Sequence, residues 1–264
     1  MKSLVLVKQV PNTDSPFRIN SAGTWVDEGN LTYGLNDYDR YALEELLRLK
    51  DAGKVTEVVA LTAGPERASS ALRTCLATGA DRAIHIKDDA LLAADPLSIA
   101  RAIVLAIKDE GFSLIMAGLQ ADDDNYMTIG PFVARLLDRP CATAVTRLEL
   151  VDGTTARVER ELENNRVQVV DLTLPAVVTV QTGINEPRYA SLKGIMAAKK
   201  KEMRTLSLAD LKLGAAEVAA SAARFKTVRL APPPKGKGAE ILSGAADRIA
   251  QELVKRIREK TGVI

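Results

Sequence analysis

The segment Gly118–Pro131, GLQADDDNYMTIGP, contains three consecutive aspartates, Asp122 to Asp124, between an apolar run and a Gly-Pro step. Carboxylates in such a group can contact a nucleotide, stabilise the start of a helix or bind a metal ion. Adjacent aspartates on an extended loop point in different directions. We therefore favour nucleotide contact first, helix capping second and a magnesium site last, and no metal ligand is assigned.

Outside this segment the sequence offers little chemistry of its own. The only histidine, His85, falls in a predicted strand and Cys75 in the middle of a predicted helix, so we interpret both as structural. Cys75 and Cys141 are far apart and form no CxxC pair. The glycine-rich and nucleophile motifs of common nucleotide-dependent enzymes and hydrolases are missing from the sequence. We therefore assign no catalytic residue and favour a binding or carrier module over a self-contained enzyme.

The elements that must position the aspartates can be predicted from alternating apolar runs and amphipathic segments. Strands are expected at 3–8, 55–64, 82–86 and 113–118, and helices at 36–53, 65–80, 95–111 and 129–140. This order is typical of an α/β fold with a doubly wound, mostly parallel, Rossmann-like sheet. The aspartates then lie at the carboxyl edge of the sheet, where ligands bind, and the N–H groups of 127–130 can receive a phosphate.

The second half of the chain has a different residue pattern. Residues 142–183 are rich in strand-forming residues, and turn signals at Asp152-Gly153 and Asn164-Asn165 predict an antiparallel extension of the sheet. A weakly structured arm is expected at 214–238, followed by an amphipathic helix at 243–262.

We divide the chain into an α/β nucleotide-binding domain, residues 1–210, and a C-terminal partner-binding arm and helix, residues 211–264. The net charge of +2 gives no global positive field for nucleic acid. The N-terminal run MKSLVLVKQV is too short for a signal peptide or a membrane span, so a cytoplasmic location is expected.

Several segments resemble the beta subunit of electron transfer flavoprotein. They are VLVKQVP, LNDYDRYALEELLRLKD, ALRTCLATGADRAIHI, GLQADDD and LPAVVTVQTGINEPRYASLKGIMAAKKKE. The resemblance implies a heterodimer whose alpha subunit holds the redox FAD. It implies an electron carrier between flavin dehydrogenases, such as acyl-CoA dehydrogenases, and a quinone-reducing system. The alternative is an electron-bifurcating member that binds a second FAD in this subunit and oxidises NADH.

The resemblance also implies an adenine-nucleotide site, with AMP as the expected ligand and FAD as the alternative. The implied contact residues are Leu6, Asn36, Asp37, Tyr38, Asp39, Ala63, Asp123, Asp124, Asn125, Tyr126, Met127, Thr128, Ile129 and Gly130. The sequence departs from both family patterns, because Asp37 replaces a common proline and Met127-Thr128-Ile129 matches neither type. An aspartate where bifurcating members have glycine would crowd a pyrophosphate, which favours AMP.

A docking role is implied for the segment RYASLKGIM and the lysines that follow it. In the family, the leucine at the position of Leu192 enters an apolar pocket on the dehydrogenase, whereas Ile195 and Met196 are expected to pack as one helix face. Lys199 and Lys200 would steer an acidic partner by their positive charge. The C-terminal arm is expected to pack on the alpha subunit.

Overall fold

The computed structural model describes residues 1–218, 222–224, 227–234, 236 and 238–262. The strands are β1 (Lys2–Leu6), β2 (Gln9–Pro11), β3 (Tyr33–Leu35), β4 (Glu57–Gly64), β5 (Arg82–Lys87), β6 (Leu114–Gly118), β7 (Cys141–Leu150), β8 (Thr155–Leu162), β9 (Arg166–Thr173), β10 (Ala176–Val180) and β11 (Met203–Leu206). The helices are α1 (Asp37–Asp51), α2 (Ser69–Thr78), α3 (Pro96–Ile107), α4 (Ile129–Leu136), α5 (Leu192–Ala198), α6 (Ala215–Val218) and α7 (Ala246–Thr261). Parts of the predicted arm, at 219–221, 225–226, 235 and 237, lie outside the described residues.

Nine of these strands form one sheet in the order β11-β5-β4-β1-β6-β10-β7-β8-β9. Every neighbouring pair from β11 to β7 is parallel, and β7, β8 and β9 pair antiparallel. The remaining strands, β2 and β3, form a separate antiparallel pair. This confirms the prediction of an α/β fold with a mostly parallel, Rossmann-like sheet and an antiparallel extension.

Helices cover both faces of the parallel part. Successive residues of a strand point to opposite sides of the sheet, so neighbouring residues of β1 pack against different helices. On one face, Val5 of β1 belongs to a core cluster with Leu46 of α1 and Leu72 of α2. On the other face, Leu4 belongs to a second cluster with Ile103 of α3 and Val133 of α4. Both faces of β1 are therefore buried, as its continuous apolar sequence predicts.

The winding direction of the chain reverses next to β1. The chain runs from β1 to β4 and then to β5 on one side, and it returns to place β6 on the other side of β1. Connections that leave β1 and β6 in opposite directions open a crevice beyond the carboxyl ends of these two strands. Residues after β1 and residues 119–128 after β6 are brought to this crevice.

The short strands β2 and β3 were not predicted, and two strands of the nine-stranded sheet also differ from the sequence-based prediction. β10 was expected within the antiparallel extension, but it lies in the parallel part between β6 and β7. All five of its residues are buried, which is typical of a central parallel strand. β11, for which no strand was predicted, adds a parallel edge strand next to β5.

The C-terminal part contains one packed stretch and one helix without buried residues. Leu211 and Val218 are buried in the same cluster as α3. By contrast, no residue of α7 is buried, and Leu253 and Val254 are exposed on it. Of the helices in the described part of the chain, none combines the length and the apolar character needed to cross a bilayer.

Candidate functional site

Asp39, in the first turn of α1, joins the ends of the two strands that border the crevice. Its Oδ2 accepts a hydrogen bond from the backbone N–H of Lys8 at 2.8 Å, just beyond β1. Its Oδ1 accepts one from the N–H of Gly118 at 2.9 Å, at the end of β6. A Cβ on Gly118 would lie 2.5 Å from Cβ of Tyr38, so glycine lets the start of α1 approach the strand. The side chain of Asp39 therefore fixes the shape of the crevice.

The carboxyl group of Asp39 is buried, and this burial raises its pKa to about 7. Hydrogen bonds from the backbone of Lys8 and Gly118, and the side chain of Asn36, oppose the shift without cancelling it. A buried carboxyl with such a pKa changes its charge near neutral pH.

Asn36 connects the loop that carries the three aspartates, called the acidic loop, to the start of α1. Its side-chain Nδ2 donates to the carbonyl of Gln120 at 2.9 Å, and its Oδ1 accepts from the N–H of Asp122 at 3.0 Å. The Asp122 carboxylate in turn accepts from the N–H of Asp37, the first residue of α1, at 3.2 Å. Asp122 therefore supplies an acceptor at the N-terminus of α1.

The other two aspartates hold the side chain of Lys8. Lys8 Nζ lies 2.6 Å from Asp123 Oδ1 and 2.7 Å from Asp124 Oδ2. Burial disfavours the charged lysine, but the two carboxylates outweigh this effect and raise the pKa of Lys8. Sequence reasoning missed Lys8, although a lysine directly after β1 must lie at the same sheet edge as the aspartates. In the described part of the chain, no three or more His, Cys, Asp or Glu residues are grouped to hold a metal ion.

The loop ends at the start of α4 in a form that suits an anion. Asn125 and Met127 have positive φ angles of 54° and 57°, so the backbone turns sharply before the helix. Thr128 stands at the N-cap without a side-chain capping bond, and its hydroxyl is buried without a hydrogen-bond partner among the described residues. The first N–H groups of any α-helix lack acceptors within the helix. Together, the hydroxyl and the N–H groups of Ile129 and Gly130 fit a phosphate.

Gly130 is packed tightly against β10. A Cβ at this position would lie 2.2 Å from Cγ2 of Thr179, so the start of α4 rests directly on β10. Any larger residue there must move the helix away from the sheet. A substitution of Gly130 would therefore change packing as well as phosphate approach.

The remaining predicted contacts lie around the same sheet edge. Leu6 is 4% exposed and belongs to the core beside α4, and Ala63 is half-buried at the end of β4. Tyr126 and Met127 are exposed on the loop. We use "crevice" below for Lys8, Asn36, Asp39 and residues 118–130.

The predicted docking residues lie in a second place, which we call the docking segment, residues 184–201. Tyr189 and Leu192 are 89% and 79% exposed, and Lys199 and Lys200 are exposed too. Ile195 and Met196, which we expected to pack as a helix face, are exposed in this chain. The segment thus presents apolar side chains followed by positive charge. Arg188 of this segment forms an ion pair with Glu44 of α1, with 2.8 Å between Nε and Oε2. Sequence reasoning missed this pair, because the glutamate has the pattern of an ordinary surface residue.

Comparison with known proteins gives the family. The sequence profile described as "Electron transfer flavoprotein domain" matches residues 24–211. The electron transfer flavoprotein beta subunit of Methylophilus methylotrophus is 39% identical over 264 residues, covering 99% of this chain and 100% of that protein. The beta subunit of Bacillus subtilis (strain 168) is 40% identical over 266 residues, and the mitochondrial one of Arabidopsis thaliana 34% over 265 residues, both covering 100% of each chain. The three relatives are beta subunits of electron transfer flavoproteins. The chain therefore belongs to the electron transfer flavoprotein family.

Proposed function

We propose that the chain is the beta subunit of a heterodimeric electron carrier, with an AMP in the crevice as a structural ligand. The heterodimer carries electrons from flavin dehydrogenases, such as acyl-CoA dehydrogenases, to a quinone-reducing system. The redox FAD, which supplies the electron-transfer chemistry, is held mainly by the alpha subunit. The buried Thr128 hydroxyl at the uncapped start of α4 is the observation that carries the nucleotide proposal.

In this proposal the residues of the crevice have separate tasks. Thr128, Ile129 and Gly130 receive the phosphate, while Asp39 and Asn36 hold the crevice walls in place through the backbone contacts described above. Lys8 offsets one of the two negative charges of Asp123 and Asp124, which lowers their repulsion of an anionic ligand. The adenine lies toward the positions of Leu6 and Ala63, as the resemblance implies.

Substitution of Thr128 tests this placement. Thr128→Val keeps the side-chain volume but removes the hydroxyl, and the loss of one charge-assisted hydrogen bond should weaken AMP binding about tenfold. The measurement is the AMP retained by the purified heterodimer after dialysis, with calorimetric titration of AMP into the stripped protein.

The matched control is Thr173→Val on β9, an exposed threonine of the antiparallel extension, which should retain AMP like the wild type. Equal AMP affinity in Thr128→Val and Thr173→Val would contradict the proposed phosphate position. Gly130→Val should also lose AMP, but it perturbs the contact with Thr179 and is the less selective variant.

The alternative cofactor is a second FAD in this subunit, as in electron-bifurcating members. We favour AMP because an aspartate stands in the loop before α4 where bifurcating members have glycine, and its larger side chain would crowd a pyrophosphate. The absorbance spectrum distinguishes the two possibilities, since one flavin per heterodimer is expected with AMP and two with FAD.

The partner of the C-terminal arm is the alpha subunit in this proposal. α7 presents Leu253 and Val254 to solvent while Ile249 and Ile257 are half-buried, so its apolar side is available for another chain. Backbone amides of 246–261 should exchange hydrogen quickly in the isolated chain and slowly in the heterodimer. Equal protection in both states would contradict this contact.

The docking segment binds the dehydrogenase in this proposal, with Leu192 entering an apolar pocket and Lys199 and Lys200 facing acidic residues. A cytoplasmic location stays a prediction, and cell fractionation with an antibody against the chain tests it.

A further inference from the structure

The docking segment has only two partly buried apolar anchors, Ile184 and Ala198, which pack against the core cluster that contains α1 and α2. No residue of α5 is buried, and Tyr189, just before it, is 89% exposed. These two small contacts leave most of the segment without the apolar burial that usually fixes a short helix. Polar contacts at its two ends therefore contribute to its position.

The first end is held by a buried carboxylate of α1. Glu44 is only 3% exposed, and its Oε2 accepts hydrogen bonds from Arg188 Nε at 2.8 Å and from the Arg188 backbone N–H at 3.1 Å. Arg188 Nη2 donates to Glu44 Oε1 at 3.1 Å and to Asp51 Oδ2 at 2.8 Å. A guanidinium held at two of its nitrogens, Nε and Nη2, has one orientation, so the chain direction at Tyr189 is fixed as well.

The neighbouring residue of α1 adds a second contact. Glu45, which is 9% exposed, accepts from Asn185 Nδ2 at 2.9 Å, and the same nitrogen lies 3.1 Å from the carbonyl of Tyr41. Two consecutive glutamates of one helix thus face the start of the docking segment, although charged helix residues normally face water.

The far end of the segment is held by α2. Lys201 Nζ donates to the carbonyls of Leu76 and Ala80 at 2.9 and 2.6 Å, at the helix C-terminus, where a positive charge is favourable. In the middle, Gly194 lies so close to α2 that a Cβ would be 2.2 Å from the Ala77 carbonyl oxygen. The segment is therefore fixed at both ends, while Tyr189, Leu192, Ile195 and Met196 between them stay exposed.

We propose that Arg188 and Glu44 are positioning residues, which hold Tyr189–Met196 in the conformation that binds the dehydrogenase. The inference rests on the proposed docking function of this segment. A segment that is already ordered loses less conformational freedom on binding, so its affinity is higher than that of a mobile one. Breaking the pair leaves the side chains that touch the partner unchanged. It lowers the fraction of molecules in which the segment is in the binding conformation.

The test uses the heterodimer with an acyl-CoA dehydrogenase as electron donor. Arg188→Met keeps much of the side-chain length and removes the ion pair, and it should raise the KM for the heterodimer about fivefold with kcat unchanged. Arg188→Lys, which keeps the charge, should recover part of this loss. The control is Arg157→Met, which removes another bidentate ion pair, with Asp171 on β9, and should leave KM unchanged.

Two further measurements separate positioning from general stability. Amides of 189–196 should exchange hydrogen faster in Arg188→Met and in Glu44→Gln, while those of the central strands stay protected. In a Leu192→Ala background, Arg188→Met should raise KM by much less than fivefold, because the side chain it positions is gone.

An equal increase of KM in both backgrounds, or a parallel loss of kcat and FAD content, would overturn the positioning role. If Leu192→Ala raises KM and Arg188→Met and Glu44→Gln do not, only the positioning role fails. If Leu192→Ala itself has no effect on KM, the docking function fails and the positioning role with it.

Discussion

The crevice and the docking segment are held in place in opposite ways. In the crevice, the buried side chains of Asn36 and Asp39 bind backbone groups at the strand ends and in the loop after β6, and the apolar core lies beneath. In the docking segment, polar contacts lie at the two ends, and the large apolar side chains from Tyr189 to Met196 face solvent. The difference indicates that changes in the crevice should alter folding and nucleotide content, whereas changes on the docking segment should alter partner binding alone.

Replacing Asp39 with asparagine should give the largest effect, and it should depend on pH. The pKa of Asp39 is about 7 in the folded chain and near 4 when unfolded, so between these values the unfolded chain loses a proton that the folded chain keeps. Wild-type stability should therefore fall, relative to Asp39→Asn, as pH rises from about 4 to about 7, by an amount on the order of 4 kcal/mol.

The measurement is the difference in melting temperature between the wild-type and Asp39→Asn heterodimers from pH 5 to pH 8. Asparagine also loses one of the two acceptors for the amides of Lys8 and Gly118, which lowers stability at every pH. A difference that stays constant across the range would show that Asp39 is ionised throughout.

Leu192→Ala probes the docking segment and should leave the crevice intact. Burying a leucine in a partner pocket contributes roughly 1.5–3 kcal/mol, so the KM for the heterodimer should rise about tenfold or more. Because Leu192 is 79% exposed in the chain, the melting temperature, FAD content and AMP content should hardly change. A large drop in melting temperature with normal coupling would mean that Leu192 packs within the heterodimer instead.

Lys199→Ala should give the smallest effect, about twofold on the association rate at low salt, because a charge at the rim of an interface mainly steers encounter. The effect should disappear at high ionic strength. Lys108→Ala, which removes an exposed lysine after α3, serves as the matched control. It should leave the association rate unchanged at both low and high ionic strength. An effect of Lys199→Ala that persists at high salt would point to a direct contact rather than steering.

The sequence could predict the features that depend on local patterns. The parallel strands were predictable because runs such as residues 58–61 are apolar on both faces, and the acidic loop followed the last of four alternating strands. β10 was misplaced because its neighbours, β6 and β7, are not adjacent to it in the sequence. Local patterns show that a strand is buried, but they do not show which strands lie beside it.

The polar contacts were harder to predict for the same reason. Lys8 meets Asp123 across 115 positions of sequence, and Glu44 meets Arg188 across 144. On a helix pattern, Glu44 is a surface charge, and only the tertiary structure shows that it is buried. The resemblance to a family pointed to residues at the crevice and in the docking segment, but not to the side chains that hold them in position.

The ratio of AMP to FAD released from the purified heterodimer tests most directly that this chain holds a structural mononucleotide. Acid denaturation followed by chromatography and absorbance gives both quantities from one sample. We expect one AMP and one FAD per heterodimer, with AMP reduced in Thr128→Val and unchanged in Leu192→Ala. Two FAD without AMP, or no nucleotide other than one FAD, would contradict a mononucleotide site at the start of α4.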